Sequence, residues 1–234
     1  MSRRGLPPYE AANGTFTACD AGNVLFATMG PMDTEALAAK LARLRAIEEN
    51  LPLSRRHFGA YTHLYRSRPQ NDAEISAVEA DLGITFPPDY RDFLRQVGAG
   101  AGPYHGLFDL AELREWAEDL QPTAEFPLTS ADAHRVHREW RDHAGGWFKG
   151  IEAGLELPGC VAISEQGCGG FTMLVTTGEP AGSLWDMDEW GWRPAHADRS
   201  GSPRASKAID LGPAPTFTVW YDAWLTRSLE RLTA

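Results

Sequence analysis

The segment from Ile84 to Leu110 constrains the fold of this chain more than any other. Proline is tolerated at the first position of a helix, where its missing amide hydrogen would have no partner, so Pro87-Pro88 predicts a helix start. Gly98 fits the left-handed position that ends a helix, and the alternating glycines after it predict a turn that leads to Pro103-Tyr104. Between these signals, four apolar residues share one helical face: Tyr90, Phe93, Leu94 and Val97. The segment is strongly specified as structure and contains no evident nucleophile.

Helix signals recur along the rest of the chain. Asn71 and Asp109 each precede a glutamate by three residues, the spacing of a capping box, so both predict helix starts. Leucines spaced at i, i+4 and i+7 predict a helix over residues 33–49 with Asp33 as its cap. A further helix is predicted near Asp132–His143, and a C-terminal helix is predicted to begin with Thr216 as its cap.

Short apolar runs separated by glycine-rich turns predict an antiparallel meander. The predicted strands are Cys160–Ser164, Phe171–Thr177 and Gly182–Trp185. The residues to which we assign a structural role in turns are Gly98, Gly100, Gly102, Pro103, Gly167, Gly169 and Gly170. The thiol of Cys168 is expected to fill a small space within a tight connection between strands.

The combination of these motifs resembles the SUKH superfamily, also called the Smi/Knr family. Its members share Leu-Gly after an amphipathic helix, a Pro-x-Tyr-x-x-Phe-Leu helix and a Gly-Pro-Tyr turn. This sequence has them at Leu82-Gly83, at Pro88 to Leu94 and at Gly102-Pro103-Tyr104. The resemblance resumes at Gly167–Gly170 ahead of an apolar strand, and it covers about residues 70–232.

The resemblance implies an α+β fold, with a curved antiparallel sheet flanked by helices. Most members are bacterial immunity proteins that bind and silence a toxin, and the fungal members are regulatory hubs. We therefore predict a SUKH-like domain over residues 70–234. Residues 1–69 are predicted to be an N-terminal extension, with the helix near 33–49 followed by an irregular segment over 54–69.

Charge is unevenly distributed between these two parts. Residues 1–69 carry 9 basic and 6 acidic side chains, a net charge of +3, whereas residues 70–234 carry 13 and 26, a net charge of −13. Direct nucleic-acid binding is disfavoured, because phosphate contacts need clustered lysine and arginine. An acidic domain is compatible with a basic protein partner such as a nuclease toxin, although acidity that only maintains solubility is the plainer interpretation.

Composition and cysteine usage indicate a cytoplasmic protein. The sequence has no apolar run of the roughly 18 residues that a membrane span requires. Its first ten residues carry a basic patch without an apolar core behind it, which disfavours a signal peptide. Cys19, Cys160 and Cys168 form an odd set without paired metal-ligand spacing, so reduced thiols are expected.

The run from Trp185 to Trp192 is the strongest candidate for a binding surface. Aromatic side chains offer large contact areas, and acidic ones can pair with lysine or arginine on a partner. The alternative is a strand end whose tryptophans pack inward and whose acids are merely solvated. Since the resemblance favours contact, we predict a partner-binding set on this run and on the glycine-rich turn: Tyr104, His105, Glu165, Trp185, Asp186, Asp188, Glu189 and Trp190.

Three catalytic or ligand-binding interpretations are less favoured than structural ones. Cys168 between glycines suggests a nucleophile with His105 as its base, but sequence shows neither a lowered pKa nor a base within reach. His134, His137 and His143 suggest a metal site, yet neighbouring arginines oppose a cation. Glycines 98–102 follow a helix, whereas a phosphate-binding loop precedes one.

The sequence therefore predicts a non-enzymatic protein that neutralises a toxin by stoichiometric binding, with no catalytic residue, metal or cofactor. A regulatory adaptor of the Smi/Knr type is the alternative. A cysteine-dependent hydrolase that uses Cys168 is the third hypothesis.

Overall fold

The computed structural model describes residues 34–52, 55–56, 60–117, 119–143, 149–154, 156–196 and 209–233. Within these ranges, helices surround an antiparallel sheet, so the predicted α+β class is confirmed. The helices are α1 (Thr34–Glu48), α2 (Ala60–His63), α3 (Asp72–Leu82), α4 (Pro88–Gln96), α5 (Leu110–Ala117), α6 (Ser130–Asp142) and α7 (Phe217–Thr233). The strands are β1 (Ser67–Arg68), β2 (Ala99–Gly100), β3 (Cys160–Gly167), β4 (Gly170–Val175), β5 (Leu184–Asp188) and β6 (Gly191–Pro194).

The main sheet is a meander in which β3, β4, β5 and β6 pair in chain order, each antiparallel to the next. Leu107 forms isolated bridges to both Gly100 and Ser164, so the small β1–β2 pair continues the sheet beyond β3. Three of the four main strands overlap the predicted ones, and β6 was not predicted. Helices α5 and α6 pack against β3 and β6 respectively.

Local capping explains where several helices begin. The side chain of Asn71 accepts a hydrogen bond from the Glu74 amide at 2.8 Å, which confirms the predicted capping box of α3. Asp109 and Glu112 form the same reciprocal pair at the start of α5. The predicted cap Asp33 lies outside the described residues.

The predicted cap of the C-terminal helix is wrong. The Thr216 hydroxyl is buried and has no hydrogen-bond partner among the described residues. Instead, the Asp89 carboxylate of α4 accepts hydrogen bonds from both the amide and the hydroxyl of Thr218, each at 3.1 Å. A residue distant in the sequence thus supplies the hydrogen-bond acceptor for an amide at the start of α7 that has no acceptor within the helix.

Helices α4 and α7 meet through four fully buried aromatic side chains, which we call the sealed cluster: Tyr90, Phe93, Phe217 and Tyr221. Ring centroids of the pairs that join α4 to α7 lie 4.6–4.8 Å apart. Burial raises the pKa of both tyrosine hydroxyls above their ordinary value. The Tyr221 hydroxyl donates to the carbonyl of Ala101 at 2.9 Å, which ties α7 to the segment after β2.

The part of the N-terminal region that the structure describes belongs to the same core. Leu37, Leu41 and Leu44 of α1 are buried, and α1 packs along α7. The expected irregular segment over residues 54–69 is corrected here, because α2 and β1 lie within it and Ala60 is buried.

Gly98 shows why β1 can pair so closely with β2. Its φ is +97°, and a Cβ there would lie 2.1 Å from the carbonyl of Arg68, so only glycine fits. Among the helices that the structure describes, none combines the length and the apolar character needed to cross a bilayer.

Candidate protein-interaction surface

Two tight turns define one end of the main sheet. Because consecutive strands are antiparallel, the β3–β4 and β5–β6 connections lie at the same end, and the β4–β5 connection lies at the other. The first turn is Cys168-Gly169 and the second is Glu189-Trp190. We call this the hairpin end.

Positive backbone angles make the first turn possible. Gly167, Cys168 and Gly169 have φ values of +84°, +54° and +77°, and the two central residues fit a type I′ hairpin turn. A cysteine with a positive φ is unusual, and here its side chain extends from an exposed turn. Cys168 is exposed, so the expectation that its thiol fills a small internal space is wrong.

The structure brings the predicted glycine-turn patch to the hairpin end. The chain after β2 runs antiparallel to β3, with Phe108 donating to the Ile163 carbonyl at 2.9 Å. Tyr104 and His105 therefore lie beside the last residues of β3, and the His105 amide is 3.5 Å from the Glu165 carbonyl. Residues that are some sixty positions apart in the sequence become neighbours.

Helix α2 adds an aromatic side chain that the sequence interpretation missed. The Tyr61 ring meets the His105 ring edge to face with centroids 6.0 Å apart, and the Thr62 hydroxyl donates to the His105 carbonyl at 2.8 Å. Tyr61 is 62% exposed, more than the other exposed large apolar side chains in the described part of the chain. It was missed because its segment has no clear period.

Trp116 of helix α5 joins Phe108, which precedes the helix, and Phe171 of β4 in a second aromatic group, which we call the open cluster. The Trp116 ring stacks on Phe108 at 5.9 Å, lies 4.7 Å from Phe171, and is 43% exposed. Glu165 is directly opposite Phe171 in the β3–β4 register, so the two side chains share a face of the sheet.

Two members of the predicted contact set are buried, which removes them from the surface. Trp185 is 0% exposed and packs against Phe126 with centroids 5.7 Å apart. Asp186 is 5% exposed because neighbouring strands and the chain after β6 cover it. The inward-packing alternative therefore applies to Trp185, and Asp186 is neither a surface contact nor merely solvated.

Asp186 is the centre of a buried polar network. Its carboxylate accepts hydrogen bonds from the Gln166 amide at 2.6 Å, the Thr172 hydroxyl at 2.9 Å and the His196 backbone at 3.2 Å. Burial raises the pKa of Asp186 to about 6, although these bonds and the charge of Arg193 act in the opposite direction.

Asp188 holds the second turn in one conformation. Its carboxylate accepts two hydrogen bonds from Arg193, at 2.6 and 3.0 Å, and one from the Trp190 amide at 2.8 Å. Such a bidentate pair with an Asx-type turn fixes the backbone. Glu189 and Trp190 are thereby presented at the tip, and Trp190 is 44% exposed.

The other predicted residues occupy intermediate positions. Tyr104, His105, Glu165 and Asp188 are partly buried. Six of the eight predicted contacts thus keep accessible surface, all of them at the hairpin end. Whether they bind a partner is a proposal that we develop below.

The histidines considered as metal ligands have other contacts. His137 and Asp210 are joined by a hydrogen bond of 2.6 Å, and the His143 ring bonds the Glu139 carbonyl at 2.7 Å. Across the ranges that the structure describes, no three His, Cys, Asp or Glu side chains are grouped to hold a metal. Cys168 lies at an exposed turn tip rather than in a cleft, which does not favour a cysteine hydrolase.

The hairpin end carries accessible aromatic side chains, a residue type enriched in protein–protein interfaces. The sequence model of the SMI1 / KNR4 family (SUKH-1) matches residues 69–201, more than half of the chain. The protein therefore belongs to this family, whose members are generally non-catalytic binding proteins. A comparison with curated proteins finds no match.

Proposed function

We propose that this protein is an immunity protein that neutralises a cognate toxin by stoichiometric binding in the cytoplasm. Membership of the SMI1 / KNR4 family supports a protein partner. The observation that carries the proposal is that the Tyr104-His105 segment and the Glu189-Trp190 turn lie at the same end of the sheet, the hairpin end. The toxin would be occluded by a complementary surface, without turnover.

Charge and aromatic surface have separate roles in this proposal. The net charge of −13 over residues 70–234 favours a basic toxin domain, such as a nuclease, and speeds its encounter. Exposed aromatic rings such as Trp190 then hold the complex by burying apolar area. Because Asp188 and Arg193 fix the turn beforehand, binding orders few additional groups.

Growth rescue tests this function. Cells that express a toxin encoded beside this gene should grow when the wild-type chain is co-expressed. A double variant, Glu189→Lys with Trp190→Ala, should fail to rescue, because it reverses a charge and removes the exposed ring at the turn. Full rescue by the double variant would exclude this turn as the contact.

Glu125 provides a matched control for the charge reversal. The Glu125 side chain is exposed. The carbonyl of the preceding residue, Ala124, accepts a hydrogen bond from Thr177, which follows β4. Glu125 therefore lies at the end of the sheet opposite to the hairpin end. Glu125→Lys should rescue growth as the wild type does. The alternative function, a Smi/Knr-type adaptor for a cellular partner, gives no rescue with any variant.

A further inference from the structure

Trp116 is an exposed aromatic ring that is held firmly on one side. Helix α5 packs against β3, and the ring is stacked on Phe108 with an interplanar angle of 3° while it also contacts Phe171. Phe108 is only 8% exposed, so the ring rests on the core. The rest of the Trp116 side chain is accessible, so a flat or cationic group of a partner can contact it.

Acidic residues lie near this ring. Glu115 is the exposed neighbour of Trp116 on α5, whereas the carboxylate of Glu112, one turn earlier, accepts a hydrogen bond from the Asp109 amide at 2.8 Å. Glu165 shares the sheet face of Phe171, which the ring contacts. Arg114, the basic residue of α5, is paired with Asp81 at 2.6 Å.

We infer that Trp116, with Glu115 and Glu165 nearby, receives an arginine or lysine side chain of the partner protein. A cation over the face of an indole is attracted to its π electrons, and nearby carboxylates strengthen that attraction. Arginine is favoured, because its planar guanidinium also stacks on the ring and can bond a carboxylate with two N–H groups.

This inference rests on the proposed function, because it adds a second contact to the same surface. Phe171 follows the β3–β4 turn directly, so the open cluster lies at the hairpin end. A basic partner segment that crosses this end would contact Trp116 and Trp190 together. The spacing of Trp116 with Leu113 and Leu120 predicts a core position, so the sequence does not identify it as a surface residue.

A peptide titration tests the receptor without the toxin. The ¹⁵N-labelled full chain is titrated with a hexa-arginine peptide, and the indole N–H signals are followed by NMR, with hexa-glutamate as the control peptide. The Trp116 signal should shift with hexa-arginine, whereas those of the buried Trp220 and Trp224 should not. An unmoved Trp116 signal, or an equal shift with hexa-glutamate, would overturn the inference.

Variants separate the ring from the general negative charge. Trp116→Leu keeps an apolar side chain on Phe108 but removes the indole, so it should weaken hexa-arginine binding about two- to fivefold. Glu115→Lys should also weaken it, and Glu125→Lys should leave it unchanged. Equal affinity for wild type and Trp116→Leu would mean that only the overall charge attracts the peptide.

The two proposals can fail separately. If growth rescue succeeds and Trp116→Leu binds the purified toxin as tightly as wild type, the cation receptor is wrong and the immunity function stands. If Trp116 binds hexa-arginine in the predicted manner and no toxin is neutralised, the receptor stands and the immunity function is wrong.

Discussion

The sealed cluster and the open cluster use similar aromatic contacts to different effect. Ring centroids are 4.6–4.8 Å apart between α4 and α7, and 4.7–5.9 Å apart around Trp116. The first set is entirely buried, whereas Trp116 keeps 43% of its surface accessible near acidic residues. Ring geometry alone therefore does not reveal the role of an aromatic group; its accessibility and the charge around it do.

Removing a ring from the sealed cluster should have the largest effect on stability. Phe217 contacts both Tyr90 and Phe93, so Phe217→Ala leaves a cavity among fully buried side chains. We expect the free energy of unfolding to fall by about 3–5 kcal/mol. Urea denaturation followed by circular dichroism measures this change, and a loss below about 1 kcal/mol would show that the cluster does not hold α7 in place.

Ionisation of Asp186 should have the next largest effect on stability, because this carboxyl is buried. Its folded-state pKa of about 6 exceeds the ordinary 3.8, so the folded protein binds this proton more tightly than the unfolded chain does. The resulting stability is fully present below about pH 4 and is lost as the pH rises through about 6. The loss is on the order of 3 kcal/mol, since one pKa unit corresponds to about 1.4 kcal/mol.

Asp186→Asn isolates this contribution. The difference in unfolding free energy between wild type and variant should change between pH 4 and pH 6.5, with the variant gaining relative stability as the pH rises. Asp92→Asn, which changes a carboxylate of α4 that is paired with Arg95, serves as the control. A difference that is constant over this pH range would show that Asp186 ionises normally.

The cap of α7 should have a smaller effect. Asp89→Ala removes the acceptor for Thr218, so thermal unfolding should show a loss of about 1 kcal/mol. Asp92→Ala, one turn later in α4, removes only a surface pair with Arg95 and should cost at most about 0.5 kcal/mol. Equal losses would contradict the assignment of Asp89 as the cap.

Trp116→Leu should change stability least, by about 0.5 kcal/mol or less, because much of the ring is already in contact with water. The same urea experiment as for Phe217→Ala measures it. A loss as large as that of Phe217→Ala would remove the distinction between the two clusters and make Trp116 a core residue.

Local signals predicted the parts of the fold that depend on neighbouring residues. The capping box of Asn71 and the proline-led helix α4 are encoded within a few positions, and both are present. The cap of α7 comes from Asp89, which is 129 residues away from Thr218, so no local pattern contains it. Strand β1 is two residues long and is specified by its pairing with β2 rather than by its own sequence.

The exposure of the predicted contact residues could be read from the sequence only in part, for a similar reason. Alternation along β5 separates Trp185 from Asp186, but both faces of that strand are covered, so the period of two does not identify an exposed side. Glu189 and Trp190 lie in a turn, where exposure follows from the connection itself. Tyr61 and Trp116 became recognisable only when their contacts placed them beside His105 and Phe171.

Isothermal titration calorimetry with the purified toxin domain of the neighbouring gene tests the central claim most directly. Wild type should bind with one-to-one stoichiometry, and Glu189→Lys with Trp190→Ala should weaken affinity by about 30-fold or more, as loss of an interface hot spot does. Glu125→Lys should bind as tightly as wild type. Equal affinity for wild type and the double variant would contradict the assignment of the hairpin end as the binding surface.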